Sequence, residues 1–185
     1  MIDLTPIASR LAVEPRALRA ILSVESSGSG LVDGHALIRV EAHLLWEHVN
    51  PGERPLIDAR FRVGGPERWQ GHLFDGQPYH GHQDRERAAY AVARAINPDA
   101  ACRSTSFGAG QVLGDWHALG FASVAEFEAA QLTEAGQIDT FARYIERRPV
   151  LLSALRAKDW GTVARCYNGP SNMAEYSGRL AGAYG

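Results

Sequence analysis

Pro15-Arg-Ala-Leu18-Arg-Ala-Ile21-Leu22-Ser-Val-Glu25-Ser-Ser-Gly28-Ser-Gly30 is the stretch on which the fold turns. Leu18, Ile21, Leu22 and Glu25 recur at i, i+3, i+4 and i+7, so a helix is expected over 15–26 with these four on one face. Proline suits the first position of a helix, and the Ser/Gly run from Ser26 stops this one. Three of the four face residues are aliphatic and need a core to pack on. Glu25 is carried onto the same face. Taking an unpaired carboxylate out of water is costly and raises its pKa, which is what a general acid needs near neutral pH. Taken alone, Glu25 reads as well as a helix-end glutamate that reaches out to solvent.

Working outward, Thr5-Pro6 gives an N-cap followed by a helix-starting proline, and Ile7 and Leu11 share a face, so a first helix precedes the second. Residues 36–41, Ala-Leu-Ile-Arg-Val-Glu, read as a short strand, followed by a helix from Ala42 to Val49. Residues 50–83, rich in Gly, Pro, His and aromatics, read as a long loop with at most a short hairpin near 61–74; loops of that length in a small domain are usually functional or disordered. From Gln83 onward the chain is expected to be helical: about 84–96, a short helix capped by Asn97, a Gly-rich turn into a helix between Ser104 and Gly114, then 123–131, 134–147, 149–156, 159–167 and 173–182. Ser123-Val-Ala-Glu126 has the form of a capping box. No repeat, low-complexity tract or interdomain linker interrupts this, so 1–185 is expected to be one domain, mainly α with a small β element.

Composition sets the limits on function. With 185 residues, 45% of them hydrophobic, the chain can bury one ordinary core. A net charge of −2 offers nucleic acid no electrostatic foothold. Arginine dominates the cations, Lys158 being the only lysine. Cys102 and Cys166 neither make a disulfide framework nor have zinc-site spacing, and are expected as small buried hydrophobes. The start has no basic segment leading into a long apolar run, and no apolar stretch approaches the roughly 20 residues of a membrane span. Synthesis in the cytoplasm without a signal peptide and without membrane insertion is therefore expected.

Two further stretches can carry chemistry. Ser106-Phe-Gly-Ala-Gly-Gln111-Val-Leu-Gly114 has small residues that let the backbone approach something closely, with the Gln111 amide beside it; a glycine-tolerant turn explains it equally well. Tyr167-Asn168-Gly169-Pro170 could hold a polar ligand after a helix, or be a plain helix stop.

Taken in order, a helix ending Glu-Ser-x-Gly, a later Ser-x-Gly-x-x-Gln turn and a final Tyr-Asn-Gly are similar to the lysozyme-like superfamily of goose-type lysozymes and lytic transglycosylases. More closely, the chain resembles the N-acetylmuramidase domain of phage endolysins. The stretches that carry this are 20–30, Ile38-Arg-Val-Glu41-Ala-His43, 104–114, Gly120-Phe-Ala-Ser-Val-Ala-Glu-Phe127, and Leu155-Arg-Ala-Lys-Asp-Trp160 with 167–170. The resemblance spans nearly the whole chain. It departs where Val40 stands for an aromatic, where Ala109-Gly110 stands for a bulkier pair, and across 50–83.

The resemblance implies a lysozyme-like fold and cleavage of the β-1,4 bond between N-acetylmuramic acid and N-acetylglucosamine in peptidoglycan, with no cofactor. It implies Glu25 as general acid, Glu41 as second carboxylate or a close support to it, and Ser106, Gln111, Tyr167 and Asn168 lining the sugar cleft. Arg39 and Glu41, two apart on a strand, share a face, and a guanidinium favours an ionised neighbour, so Glu41 is expected to orient water or stabilise positive charge on the sugar. A Glu that merely caps the next helix is the plainer reading of Glu41. The expected partner is the glycan strand, met in the periplasm by a monomer whose release depends on a holin.

Two rivals share the resemblance: a lytic transglycosylase closing a 1,6-anhydro ring with one Glu, and a non-catalytic glycan-binding phage component. Another comes from the histidines. His72, His80 and His82 with Asp84 lie in one segment, and zinc enzymes also cut peptidoglycan, but no His-Glu-x-x-His motif is present and no metal site is expected. Trp69 and Tyr79, in the same segment, are the candidates for stacking on a sugar ring, while Trp46, Trp116 and Trp160 are expected to be core anchors.

Overall fold

A computed structural model describes residues 2–61, 73–170 and 172–185. Among these, α1 (Thr5–Leu11) and α2 (Pro15–Ser26) lead into a β-hairpin, β1 (Leu31–Val32) and β2 (His35–Ala36), then β3 (Ile38–Val40). Next come α3 (Ala42–His48), α4 (Arg54–Phe61), the hairpin β4 (Leu73–Phe74) and β5 (Gln77–Pro78), α5 (Gln83–Ile96) and α6 (Pro98–Arg103). A hairpin β6 (Thr105–Phe107) and β7 (Val112–Leu113) precedes α7 (Val124–Gln131), α8 (Glu134–Glu146), α9 (Pro149–Ala157), α10 (Trp160–Asn168) and α11 (Met173–Tyr184). The fold is mainly α with small antiparallel sheets.

Two buried clusters organise it. The larger packs α1, α2 and α8–α11 around Leu18, Ile21, Phe141, Ile145, Leu155 and Leu180. The smaller packs α3–α6 around Leu45, Ile57, Phe61, Tyr79 and Ala93. The three-stranded sheet, in order β3-β6-β7, lies where they meet: Ile38 contributes to the larger cluster and Val40 to the smaller. Alternation along β3 buries these two and turns Arg39 outward between them.

Several local expectations change. The cap of α1 is Leu4; it is the Asp3 carboxylate that accepts from the Thr5 N–H, at 2.9 Å, so Thr5 is already helical. The 36–41 strand breaks at Leu37 into β2 and β3. Its start pairs across the two-residue turn Asp33-Gly34, both at positive φ, as a hairpin of that chemistry requires. The 104–114 stretch is a hairpin and not a turn into a helix. Thr105, Ser106 and Phe107 pair with Val40, Arg39 and Ile38, and sheet pairing from a distant segment decides the conformation of a stretch with weak helical preference. Segment 50–83 is more regular than a loop: Ile57 and Phe61, one turn apart, bury one face of α4, and β4–β5 closes across Asp75-Gly76. Trp69 and His72, and most of the hairpin expected at 61–74, lie outside the described residues.

Tyr79, a candidate for stacking on a sugar ring, is fully buried. Its ring packs edge-on against Phe61 and Phe74, and its hydroxyl donates to Val40 O at 2.9 Å. An exposed sugar platform at Tyr79 is thereby ruled out.

Candidate active site

Glu25 sits where the stripe placed it. Leu18, Ile21 and Leu22 are buried, and Glu25, one turn further, is half-buried at the end of α2. Ser27 then adopts a left-handed conformation and ends the helix, its N–H donating to Ser23 O. The neighbour that matters most comes from 151 residues away: the Tyr176 hydroxyl, on α11, donates to Glu25 Oε1. Burial pushes the Glu25 carboxyl above the usual carboxylate range, against the opposing effects of the Tyr176 hydrogen bond, Arg179 and Arg39.

Glu41 stands at the far end of β3. Its extended backbone makes it the N-cap of α3, but its side chain caps nothing; instead Arg39 Nε donates to Glu41 Oε1 at 2.9 Å. The strand that carries this pair is held on both edges. One edge pairs with β6, a ladder extended by the Glu41 N–H to Ser104 O at 2.8 Å. On the other edge, side chains replace a strand. Gln83 accepts from Ile38 N and donates to Ile38 O, and the buried Glu86 carboxylate accepts from Val40 N at 2.9 Å. His80 Nδ1 lies 3.0 Å from the other Glu86 oxygen. A buried carboxylate tied this way is a structural anchor whose partners offset its desolvation.

Ser106, opposite Arg39 in β6, and Gln111, at φ +45°, come from the glycine-rich hairpin. Gln111 Nε2 donates to Gly108 O at 3.0 Å and to Leu37 O at 3.3 Å, and its carbonyl oxygen meets no partner among the described residues. Tyr167 does not offer a free hydroxyl: it donates to Gly110 O, and its ring lies 5.2 Å from that of Tyr144. A Cβ at Gly110 would sit 2.9 Å from Phe141 Cδ2 and 3.2 Å from the Tyr167 oxygen, so glycine lets the turn meet these rings. Asn168, at the end of α10, is exposed.

These residues converge on one cavity of about 360 Å³, lined by Glu25, Arg39, Glu41, Ser106, Gln111, Tyr167 and Asn168. All six positions singled out in the sequence line it, with Arg39 added. A second cavity of about 260 Å³ shares Glu25 and Asn168 and is otherwise walled by α11, through Asn172, Glu175, Tyr176 and Arg179, and by Val24. Glu25 thus stands on the ridge between two polar hollows.

Two residues that shape the site escaped the sequence reading. One is Tyr176. The other is Gln137 on α8, whose buried amide donates to Gly30 O and accepts from Ala109 N, both at 3.0 Å, tying the segment after Glu25 to the hairpin that carries Gln111. Nothing local distinguishes either from an ordinary helix residue.

Among the described residues no three His, Cys, Asp or Glu side chains group to hold a metal ion. His80 belongs to the Glu86 anchor, and His82 is exposed. Cys102 is buried and Cys166 half-buried, both as free thiols. No helix among the described residues is long and apolar enough to cross a membrane.

Comparison with known proteins agrees with this architecture. The N-acetylmuramidase family profile matches residues 14–185. The crystal structure of a Burkholderia AP3 phage endolysin aligns with a TM-score of 0.79 at 32% identity, over 98% of this chain and 68% of that one. No curated protein matches significantly.

Proposed function

Because the chain belongs to the N-acetylmuramidase family, we propose that it hydrolyses the β-1,4 bond between N-acetylmuramic acid and N-acetylglucosamine in peptidoglycan, with Glu25 as general acid and Glu41 as second carboxylate. The observation that carries this reading is the contrast between two carboxylates lining one cavity. Glu25 is half-buried and held above the carboxylate range, whereas Glu41 is ion-paired to Arg39. Two carboxyl groups in such different surroundings can take different roles in one reaction.

In this mechanism Glu25 gives its proton to the glycosidic oxygen as the bond to the anomeric carbon breaks. Positive charge builds on that sugar, and the Glu41 carboxylate stabilises it or orients the water; the water oxygen bonds to the anomeric carbon as its surplus proton passes to a carboxylate of the pair, which leaves a hemiacetal and returns the pair to one proton. Ser106, the Gln111 carbonyl and Asn168 offer polar contacts to hydroxyl and acetamido groups, while Tyr167 acts through its ring and through the turn it holds. The protein works as a monomer on glycan strands in the periplasm, after synthesis in the cytoplasm and release by a holin.

The test is digestion of purified sacculi by wild type and Glu25→Gln, followed by turbidity, reducing-end release and mass spectrometry. Wild type is expected to give reducing muramic acid ends, and the variant to lose at least about 10²-fold in rate, the lower range for a general acid. A variant that keeps more than about a tenth of the rate contradicts the role of Glu25. Anhydro-muramyl products convert the reading to a lytic transglycosylase, and an inert wild type to a glycan-binding protein.

A further inference from the structure

Glu25 is approached by titratable or charged groups from several elements. Tyr176, Arg179 and Glu175 approach from α11, Arg39 from β3 and Glu41 just beyond it, Tyr167 from α10 and Tyr144 from α8. Of these, Tyr176 alone hydrogen-bonds the carboxyl among the described residues, and it meets only Oε1. Arg179 spends one nitrogen on Val24 O at 3.0 Å. The Tyr176 ring is buried in the larger cluster, where α11 packs along α2, so the hydroxyl has little freedom to turn elsewhere.

We infer that Tyr176 is a positioning residue for the acid, donating its O–H to Glu25 Oε1 so that the transferable proton resides on Oε2. The inference rests on the reading of Glu25 as general acid. Its logic is that a donated hydrogen bond needs a bare acceptor oxygen. With Oε1 occupied, the neutral carboxyl carries its proton on the other oxygen, which has no partner among the described residues. A carboxyl free to flip would present its proton to the cleft only part of the time. Burial and the neighbouring Glu25 push the Tyr176 phenol well above its usual range, so it keeps its proton wherever Glu25 titrates. The second cavity, on the α11 side of Glu25, would otherwise let the carboxyl swing away from the main cleft.

A phenol can also accept, and the two arrangements differ in sign. A donor stabilises the carboxylate, so its removal raises the pH at which Glu25 ionises. An acceptor stabilises the neutral acid, so its removal lowers that pH. The experiment compares wild type, Tyr176→Phe and a protein with 3,5-difluorotyrosine at position 176, a stronger donor of almost the same shape. Readouts are the pH profile of reducing-end release from sacculi, KM and kcat, and the ¹³C titration of the Glu25 carboxyl assigned with Glu25→Gln. For Tyr176→Phe the alkaline limb and the ¹³C midpoint should rise by about half to one pH unit, with kcat down about 10-fold and KM within about twofold. The fluorinated protein should move both midpoints down, and it carries the test if Tyr176→Phe fails to fold. Unmoved midpoints, movement in the opposite direction, or a KM rise with kcat intact overturn the inference. A wild type that releases no reducing ends overturns the functional reading instead, and the ¹³C midpoints still decide the contact.

Discussion

Gln137 offers the sharpest test of how the cleft is held open. Its side chain is 3% exposed and has both ends occupied: Nε2 donates to Gly30 O at 3.0 Å and Gln131 O at 2.8 Å, and Oε1 accepts from Ala109 N at 3.0 Å. The fit around it is close, since a Cβ on Gly30 would lie 1.7 Å from Gln137 Oε1 and one on Gly108 2.7 Å from its Cδ. Gln137→Leu keeps much of the volume but takes the side-chain partner from Ala109 N and Gln131 O, while Gly30 O keeps the Leu37 N–H at 2.8 Å. Each unpaired group costs about 1–3 kcal/mol, so the two together start near about 2 kcal/mol, a sizeable share of the roughly 5–15 kcal/mol that holds such a domain together. At about 2–4 °C per kcal/mol for a chain of this size, Tm should fall by at least roughly 6 °C. Gln137→Glu keeps the acceptor for Ala109 N but sets an oxygen against two carbonyls; it should be comparably destabilised at pH 7 and partly recover in acid, as protonation restores one donor. Calorimetric or circular-dichroism melting across pH decides. A Tm within about 3 °C of wild type for Gln137→Leu would mean that the amide does not hold the two loops together.

The site itself yields two further expectations. Glu25 has a folded-state pKa raised by burial, so its stabilising contribution is present below its ordinary value and is lost as pH rises through the folded value. Glu25→Gln should therefore melt above wild type at pH 8 and close to it at pH 4, and a variant that is no more stable at pH 8 would contradict the burial of this charge. Glu41→Gln removes the carboxylate held by Arg39. It should lower kcat on sacculi by at least about 10-fold while KM stays within about twofold, and full turnover would leave Glu25 as the sole working acid.

The helices were legible because their determinants are local. The 3.6-residue stripe that put Glu25 beside Leu18, Ile21 and Leu22 operates over two turns. The same holds for Asn97, which accepts from Ala100 N, and for Ser123, which accepts from Glu126 N. The capping box is completed one residue early, Glu126 reaching Ala122 N. The Asp33-Gly34 and Asp75-Gly76 turns are also written locally, as two-residue hairpin signals, the second of which marks β4–β5 within the expected 50–83 loop.

Residue order alone carried the mainly helical character, most of the helices other than α4, the face on which Glu25 lies and the six residues that line one cavity. Motif order marked those residues without specifying a distance between them. Packing made Ser104–Gly114 a hairpin, put Tyr79 in the core, tied the loops through Gln137 and brought Tyr176 to Glu25. The difference lies in separation along the chain. Ser106 pairs with Arg39, Gln137 reaches Gly30 across 107 residues, and Tyr176 reaches Glu25 across 151. A hydrogen bond between such partners leaves no periodicity or spacing in either segment, and it exists only once both hydrophobic clusters have packed and brought α2, α8, α11 and the β3–β6–β7 sheet to the same cleft.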